Sequence, residues 1–420
     1  MAPATIARKV VCLLVRQVSE IREGGPRVFL RKGHNLLLRV LMVPILLVVR
    51  ALRPVVLIRF GMLASPRIGH FAANTELYLC ERDVGLQNNR AIDIFYLDPT
   101  FVCNTQLKRM WHRVLHVSYF ARPLQRLCRC LPGYEKHVIP MPSDMDVHGL
   151  LYRMRAHLSF TPKEEQLGRA GIRDLGIPEG VPYVCLYARD SAYLDTLHTY
   201  YPREHWRYHD YRDSDILNYI PAAEEIVHRG CYVVRMGAVV QKPLPCASPQ
   251  IIDYAVNGRT DFLDIFLSAK CRFFVGSTGG ITAIPRVFRR PVVYVNFVPL
   301  GAEHMLTCGS DSLVIPKKLW LRQEGRFMTF REILDSGAGG ILRTDQYERL
   351  GVEIVENAPQ EIAALAVEMD ERLNGTWKTT EEDEELQRRF RSLFKLENLC
   401  GGRPARIGAE FLRQHRDLLN

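Results

Sequence analysis

The sequence predicts an α/β protein built from two doubly wound domains that face a cleft, with an apolar helix before them and helices after them. Strands alternate with helices over most of residues 55–300, which is typical of parallel sheets with helical crossovers. The strands are continuous apolar runs, as in sheets that are covered on both faces. A chain of 420 residues also exceeds one ordinary core. The predicted division is a basic and apolar segment at 1–53, a Rossmann-like domain at 54–160, a second one at 161–345, and C-terminal helices at 346–420.

The stretch 259–300 contains the clearest indication of a binding site. Thr260 is a candidate N-cap for a buried helix, and a short strand near 272–275 follows it. A second buried strand is predicted over 291–296. A strand that leads through a glycine loop into a helix presents backbone N–H groups and hydroxyls to a phosphate, although a simple tight turn is the alternative. The residues of this loop are Gly276, Ser277, Thr278, Gly279 and Gly280.

The predicted second domain carries further candidates at the ends of its strands. The strand near 181–190 ends at Arg189 and Asp190, and the strand near 231–237 ends at Arg235 and Gly237. Because the carboxyl ends of parallel strands meet at one edge of a sheet, these residues are expected to line the same cleft as the glycine loop. Arginine forks match phosphate oxygens, so the combination favours a diphosphate. Tyr193 belongs to a tyrosine-rich run that is a candidate for stacking on a sugar or base.

The first predicted domain begins with a strand, a loop and a helix over 54–82. Arg67, His70 and Asn74 lie in this loop or at the start of the helix, and we expect them on the acceptor side of the cleft. The regions 91–98 and 137–142 are predicted as further strands. Residues 106–121 are predicted as a helix, and the segment 208–230 is predicted to become a helix capped by Asp213 or Ser214.

The N-terminal segment is basic and apolar. Its apolar run over 36–49 is interrupted by Arg39 and Pro44 and is too short and too charged for a spanning helix. The segment 35–53 therefore suits the interface of an anionic leaflet, with a buried core helix as the alternative.

The composition narrows the functional classes. The net charge of +10 and a pI near 9.1 indicate an anionic partner, for which we expect a membrane surface and a phosphorylated substrate, not nucleic acid. Eleven cysteines without CxxC spacing indicate a reducing, cytoplasmic compartment. The pair Asp144 and Asp146 is interpreted as a loop charge pair, so no metal and no cofactor is expected. The sequence has no Walker A motif, and no G-x-G-x-x-G follows the first strand, which argues against ATP hydrolysis and NAD chemistry.

Several blocks resemble a family of bacterial proteins regarded as putative glycosyltransferases of surface-polysaccharide loci. The blocks are RIGHFAANTELYL (67–79), YARDSAYL (187–194), YRDSDILNYIPA (211–222), YVVRMG (232–237) and TDFLDIFLSAKCRFFVGSTGG (260–280). The last block and Arg189 are distantly similar to GDP-fucose-dependent fucosyltransferases, and STGGITAIP is similar to the diphosphate loop of heptosyltransferases.

These resemblances imply a metal-independent enzyme of the two-domain GT-B type. They also imply that Arg189, Ser277, Thr278 and Gly279 contact the diphosphate of a nucleotide sugar. The fucosyltransferase His-x-Arg pattern is Tyr187-Ala188-Arg189 here, and Pro285 is expected to shorten the helix after the loop.

Glycosyl transfer with inversion needs a base for the acceptor hydroxyl, which is expected to be a glycan or a lipid-linked molecule. A histidine can exchange a proton near neutral pH, so His70 is the first candidate and Asp190 the second. Two alternatives stay open: a non-catalytic membrane-associated scaffold of a polysaccharide assembly complex, and a pyruvyl-type transferase on the same fold. The expected location is peripheral, on the inner face of the cell membrane.

Overall fold

The computed structural model describes residue 26 and residues 41–197, 203–245, 248–301, 305, 308, 309, 311–394 and 405–420. The chain divides into two compact units by its internal contacts. The described residues of the small unit are 41–63, 88–97 and 115–140. The described residues of the large unit are 64–87, 98–114 and those from 141 onward. The predicted domain boundaries at 53, 160 and 345 stay a prediction, as does the arrangement of two domains about a cleft.

The large unit is built on a parallel seven-stranded sheet in the order β12-β8-β7-β6-β3-β4-β5. The chain enters at β3, proceeds to one edge through β4 and β5, and returns to the other side of β3 at β6. The order therefore reverses between β3 and β6, which is the topological switch point of a doubly wound sheet. The strands are β3 (Tyr183–Tyr187), β4 (Tyr232–Arg235), β5 (Ile251–Ile252), β6 (Phe274–Gly276), β7 (Val292–Phe297), β8 (Leu313–Pro316) and β12 (Arg406–Ile407).

Continuous apolar runs produce these strands because helices cover both faces of the sheet. All six residues of β7 are buried, as are the first four residues of β3. The α/β class and the parallel sheet predicted from the sequence are confirmed.

Helices connect the strands and cover the sheet. The predicted N-cap is present: the hydroxyl of Thr260 accepts a hydrogen bond from the N–H of Leu263 at 3.1 Å. The helices of the large unit are α2 (Ile68–Asp83), α3 (Thr105–Val114), α5 (Pro162–Asp174), α6 (Ala192–Leu197), α7 (Arg203–Trp206), α8 (Ile220–His228), α9 (Asp261–Lys270), α10 (Ala283–Val287), α11 (Phe330–Asp335), α12 (Thr344–Arg349), α13 (Pro359–Asn374), α14 (Glu381–Ser392) and α15 (Ala409–Gln414).

The helix predicted within 208–230 does not begin where we expected. The segment forms two 3-10 turns, Arg207–Arg212 and Ile216–Tyr219, before α8 begins. Asp215, not Asp213 or Ser214, caps the second turn through its carboxylate and the N–H of Leu217, 2.9 Å apart. Proline in the first turn of α8 fixes the start of that helix, since it needs no N–H partner there.

The C-terminal region is not all helical, so the prediction of helices over 346–420 was wrong in part. It contributes β12 to the main sheet, and β11 (Val352–Val355) pairs antiparallel with β9 (Lys318–Leu321), which also pairs with β10 (Arg326–Phe327). These strands are two to four residues long, so periodicity cannot distinguish them from loops.

The small unit contains helix α1 at 41–51, the parallel strands β1 (Ile58–Leu63) and β2 (Ile92–Leu97), and α4 (Ala121–Cys128). The strand predicted over 137–142 is only an isolated bridge between Val138 and Phe60, because His137 ends a 3-10 turn directly before it. No described helix is long and apolar enough to cross a bilayer.

Candidate anion-binding site

The switch point of the large sheet brings the ends of β3 and β6 together. The backbone N–H of Arg189, two residues beyond β3, donates a 2.8 Å hydrogen bond to the Ser277 hydroxyl, which follows β6 directly. In return, the N–H of Ser277 donates to the carbonyl of Tyr187 at 3.2 Å. Ligands of doubly wound proteins bind in the crevice outside such a reversal of strand order. Two of the predicted phosphate contacts, Arg189 and Ser277, are therefore neighbours at this edge.

The glycine loop is glycine-rich because its backbone is closely packed. A Cβ on Gly279 would lie 2.5 Å from the Tyr187 ring, and a Cβ on Gly276 would lie 3.2 Å from the Tyr187 carbonyl. The loop continues into a 3-10 turn, Gly280–Thr282, and then into α10, which is only five residues long. The short helix agrees with the effect expected of Pro285.

The predicted loop hydroxyls already have partners within the large unit. Ser277 accepts from Arg189 as described, and the Thr278 hydroxyl donates to the carbonyl of Val298 at 3.3 Å. In this geometry both side chains stabilise the loop, and the backbone N–H groups at the start of the 3-10 turn are the groups that an anion would meet.

The start of α2 packs directly on the glycine loop. A Cβ on Gly69 would lie 3.0 Å from the Cα of Gly280, so the two backbones touch. His70 is half-buried, and its Nδ1 lies 3.4 Å from the amide oxygen of Asn74 one turn later. Arg67 is exposed immediately before the helix. The helix that carries His70 therefore lies against the glycine loop and not across a cleft from it.

A group of arginines that the sequence analysis did not assemble surrounds this edge. Arg189 is buried and forms an ion pair with Asp213. Arg212 donates to Nδ1 of His209 at 2.8 Å, and its own Nε is buried without a hydrogen-bond partner among the described residues. The Arg343 guanidinium lies 5.2 Å from the centre of the Tyr208 ring. We call Arg67, Arg189, Arg212 and Arg343 the arginine cluster.

The electrostatic effect of the arginine cluster converges on His209. Burial, followed by the positive charges of Arg212, Arg189, Arg67 and Arg343, lowers the pKa of His209 to about 3. The imidazole is therefore neutral at physiological pH. Burial and the neighbouring Arg212 likewise lower the pKa of Arg189 to about 10. Asp213 pairs with Arg189 and Asp345 pairs with Arg343, so these carboxylates offset part of the positive charge, and the charge that remains favours an anion at this edge.

Lys317 links the segment 207–214 to the end of β8. Its ammonium group donates to the carbonyls of Tyr211 and Asp213, at 3.2 and 2.5 Å. Burial lowers the pKa of Lys317 to about 8, with Glu356 opposing and Arg189 reinforcing that shift. The N–H of Ser214 also donates to the carbonyl of Arg189 at 2.8 Å. These bonds fix the segment that carries Arg212 and His209.

Three of the predicted site residues lie in other networks. Both carboxylate oxygens of Asp253 face the buried guanidinium of Arg235, at 3.2 and 3.1 Å, and a Cβ on Gly237 would lie 2.7 Å from Val240. Asp190 accepts from the N–H groups of Ala192 and Gln241, both at 3.0 Å.

Tyr193 is half-buried on α6. Burial, reinforced by the nearby Cys103, raises its pKa to about 12.

The acidic groups give little support for a metal site. The Asp146 carboxylate accepts from the N–H groups of Leu150 and Leu151, both at 2.8 Å, which is a structural role. Elsewhere, ligand atoms of Glu76, Cys80 and His157 lie within 4.8 Å of one another. The guanidinium of Arg289 lies 2.6 Å from Oε1 of Glu76, however, and takes the place that a cation would need.

The comparisons with known proteins give a distant likeness. No protein-family model matches the chain, and no curated protein matches it closely enough to count as a relative. The structure has 13% identity and a TM-score of 0.39 to ADP-heptose LPS heptosyltransferase II of E. coli, over 74% of this chain and 100% of that one. It has 8% identity and a TM-score of 0.32 to a glycosyl transferase of family 9 from Veillonella parvula DSM 2008, over 56% of this chain and 79% of that one.

The first of these two proteins is a heptosyltransferase, the class to which the sequence has a distant resemblance. At these TM-scores, the likeness assigns neither a substrate nor a mechanism.

Proposed function

We propose that the large unit binds a nucleotide-diphosphate sugar at the switch point between β3 and β6 and transfers the sugar to a glycan or lipid-linked acceptor. The observation that carries this proposal is the buried Arg189, which is joined to Ser277 across the switch point and acts together with three further arginines on His209. The residue blocks that resemble surface-polysaccharide glycosyltransferases supply the reaction class.

The chemistry of the leaving group explains the need for this charge. As the bond between sugar and phosphate breaks, negative charge develops on the departing nucleoside diphosphate, and fixed positive groups lower that barrier. Arg189 and Arg212 provide such groups from within the protein. We therefore propose a metal-independent reaction of the GT-B type that inverts the configuration of the sugar.

The remaining roles follow from position. We propose that His70 takes the proton of the acceptor hydroxyl, and the contact of its helix with the glycine loop supports this role. Asp190 is the weaker candidate, because both its carboxylate oxygens already bind backbone N–H groups. Arg235 and Gly237 support the site by holding the loop after β4.

The proposed cellular location is the inner face of the cell membrane, with the segment 35–53 in the lipid interface. Residues 35–40 lie outside the described part of the chain, and the rest includes α1. A bound lipid surface would bring the enzyme to a lipid-linked acceptor.

A nucleotide panel tests the proposal. UDP, GDP, ADP and CMP are added separately to the purified protein, and the melting temperature Tm is measured for each. One nucleoside diphosphate is expected to raise Tm, and its sugar derivatives are then screened for release of that nucleotide. If none of the four raises Tm and no donor is hydrolysed, the enzymatic proposal fails and a binding or scaffold role takes its place.

A further inference from the structure

The excess positive charge of this protein is distributed unevenly between its two units. The described residues of the small unit contain eight lysines and arginines against two acidic residues, and residues 1–40 contain eight against two. The large unit contains 40 basic and 42 acidic residues. The whole net charge of +10 therefore lies outside the large unit, where the candidate site is.

The small unit keeps this charge at its surface. Arg59 and Asp93 are buried and form an ion pair at 2.7 Å, so their charges neutralise each other. Glu135 is then the one acidic side chain left among the unit's described residues. On α4, three arginines at 122, 126 and 129 follow the i, i+4, i+7 spacing of a single helix face, and the last two are exposed.

Helix α1 is apolar around its whole circumference but is buried on one side only. Met42, Leu46 and Val49 pack into the core of the small unit together with residues of α4. On the other sides Leu47 is 59% exposed and Val48 is 57% exposed, and Leu41 and Ile45 are similar. A helix of this kind is normally covered all round. The part of α1 that the structure describes, 41–51, is about 16 Å long, which is enough for a helix that lies in a membrane interface.

Two exposed aromatic residues lie directly before α4, the helix that shares the core of the small unit with α1. Tyr119 is 71% exposed and Phe120 is 51% exposed, directly before α4, and their rings pack edge to face. Arg50 at the end of α1 donates to the carbonyl of Pro132, just beyond α4, at 2.7 Å. The C-terminal ends of α1 and α4 therefore lie close together, and residues of both helices share one apolar core. Tyrosine is enriched at the headgroup level of membranes.

We propose that this surface docks the protein on an anionic bilayer. We call it the docking face; it consists of the exposed sides of α1, the pair Tyr119 and Phe120, and the arginines of α4. Apolar side chains enter the boundary between headgroups and acyl chains, and the arginines bind lipid phosphates. The charge of the surface is complementary to such a membrane. That the docked enzyme meets a lipid-linked acceptor rests on the proposed function, but the docking does not.

Vesicle flotation with the full chain tests the docking face. The protein is expected to float with vesicles of phosphatidylcholine and phosphatidylglycerol, less with phosphatidylcholine alone, and less in high salt. The variant Leu47→Glu/Val48→Glu places two charges in the apolar interface and is expected to lose binding at least tenfold. The matched control is Leu342→Glu/Leu350→Glu, two exposed leucines of the large unit, which is expected to bind like the wild type.

The arginines are tested separately. Each arginine near an anionic surface contributes about fivefold to binding, so Arg122→Gln/Arg129→Gln is expected to weaken it by about 30-fold. The control Arg331→Gln/Arg388→Gln removes the same charge from the large unit and is expected to have little effect. Leu47→Gln is a milder second variant should the double glutamate variant fail to fold, as judged by Tm.

Three outcomes would overturn the proposal. In the first, the wild-type protein does not float. In the second, the docking-face variants bind as well as their controls. In the third, α1 variants turn an oligomer into a monomer without changing lipid binding, which would make the face a contact between copies of the chain. Flotation needs no nucleotide, and the nucleotide panel needs no lipid, so failure of membrane docking can be distinguished from failure of the proposed enzymatic activity.

Discussion

At the scale of single residues, the candidate anion-binding site depends on Arg189 and the groups that contact it. Arg189 is nearly inaccessible, its backbone is fixed by Ser277, and its side chain is paired with Asp213. A buried charge of this kind is tolerated only because it is paired. In the proposed function, a diphosphate would compete with Asp213 for the same guanidinium, and this proposal leads to two opposite predictions.

Replacing Arg189 by alanine should weaken nucleotide binding. Loss of one charge-assisted hydrogen bond costs about 1.5–3 kcal/mol, so the dissociation constant should rise roughly ten- to a hundred-fold, measured by calorimetry. Arg59→Ala is the matched control, because it removes a buried arginine from an ion pair in the small unit. That control should lower Tm and leave nucleotide affinity unchanged. Equal affinity in the wild type and Arg189→Ala would remove Arg189 from the binding site.

Replacing Asp213 by asparagine should act in the reverse direction. The free protein should melt at a lower temperature because Arg189 loses its partner. The rise in Tm on adding the preferred nucleoside diphosphate should be larger than in the wild type, since no carboxylate competes for the guanidinium. A smaller rise than in the wild type would mean that Asp213 holds Arg189 in the binding position and does not compete.

The protonation of His209 gives a pH-dependent prediction. Its pKa in the folded protein, about 3, lies below that of an unfolded histidine, so between these values the unfolded chain binds more protons. Stability should therefore fall as pH decreases from about 6.5 towards 3. In His209→Gln this contribution is absent, so Tm of the wild type should decrease more steeply than Tm of the variant over this range. Parallel curves would show that the arginine cluster does not act on His209.

At the scale of elements, the contact of α2 with the glycine loop positions both the proposed base and the proposed diphosphate site. The loop is formed by backbone that packs against Tyr187 on one side and Gly69 on the other. Such contacts leave no space for a side chain, so small residues are required on both elements.

Gly279→Ala should disturb this packing. The new methyl group would lie 2.5 Å from the Tyr187 ring, and overpacking of this kind typically costs about 1–3 kcal/mol. Tm and nucleotide affinity should both fall. Gly340→Ala is the control, since a Cβ there meets nothing within 4 Å. If Gly279→Ala keeps wild-type nucleotide affinity, the loop does not form part of the donor site.

His70→Gln tests the role of α2 in the reaction. If His70 takes the acceptor proton, turnover should fall by about 10²–10⁴-fold while nucleotide affinity stays near that of the wild type. His116→Gln, an exposed histidine of the small unit, should have normal turnover. Normal turnover in His70→Gln would assign His70 a structural role with Asn74 and direct the search to other bases.

At the scale of the whole molecule, the large unit carries the candidate chemistry and the small unit carries the excess positive charge. In our proposals, the basic surface of the small unit binds lipid and the arginine cluster of the large unit binds the substrate. The large unit itself has slightly more acidic than basic residues, so its positive potential is local and comes from burial and grouping of arginines, not from net charge.

The proposed reaction depends on these protein cations and not on a metal ion. Chelation with EDTA should therefore leave the release of nucleotide from the donor sugar unchanged. Loss of turnover in EDTA that manganese restores would contradict this expectation. Asp144 would then be the first ligand to test, since the Asp146 carboxylate binds backbone N–H groups.

The sequence by itself determined the parallel sheet and the loops at the carboxyl ends of its strands. Strands β3, β6 and β7 are continuous apolar runs, and burial of such runs on both faces allows little else. The glycine loop after β6 and Arg189 after β3 could be located for the same reason: a strand end is a local property of the chain. The short strands were harder to predict from the sequence, because two to four residues show no measurable hydrophobic period; they are β5, β10, β11 and β12.

Only the tertiary structure decided which polar side chains meet. Arg67, Arg189 and Arg343 are distant from His209 along the chain, and their effect on it depends on how these parts of the chain pack at the sheet edge. The tertiary structure also decides the partners of Arg235, Asp190 and Thr278, which form hydrogen bonds with other groups of the large unit. The physical reason is that apolar burial is summed over a local run, whereas a hydrogen bond or ion pair requires two groups at one point in space.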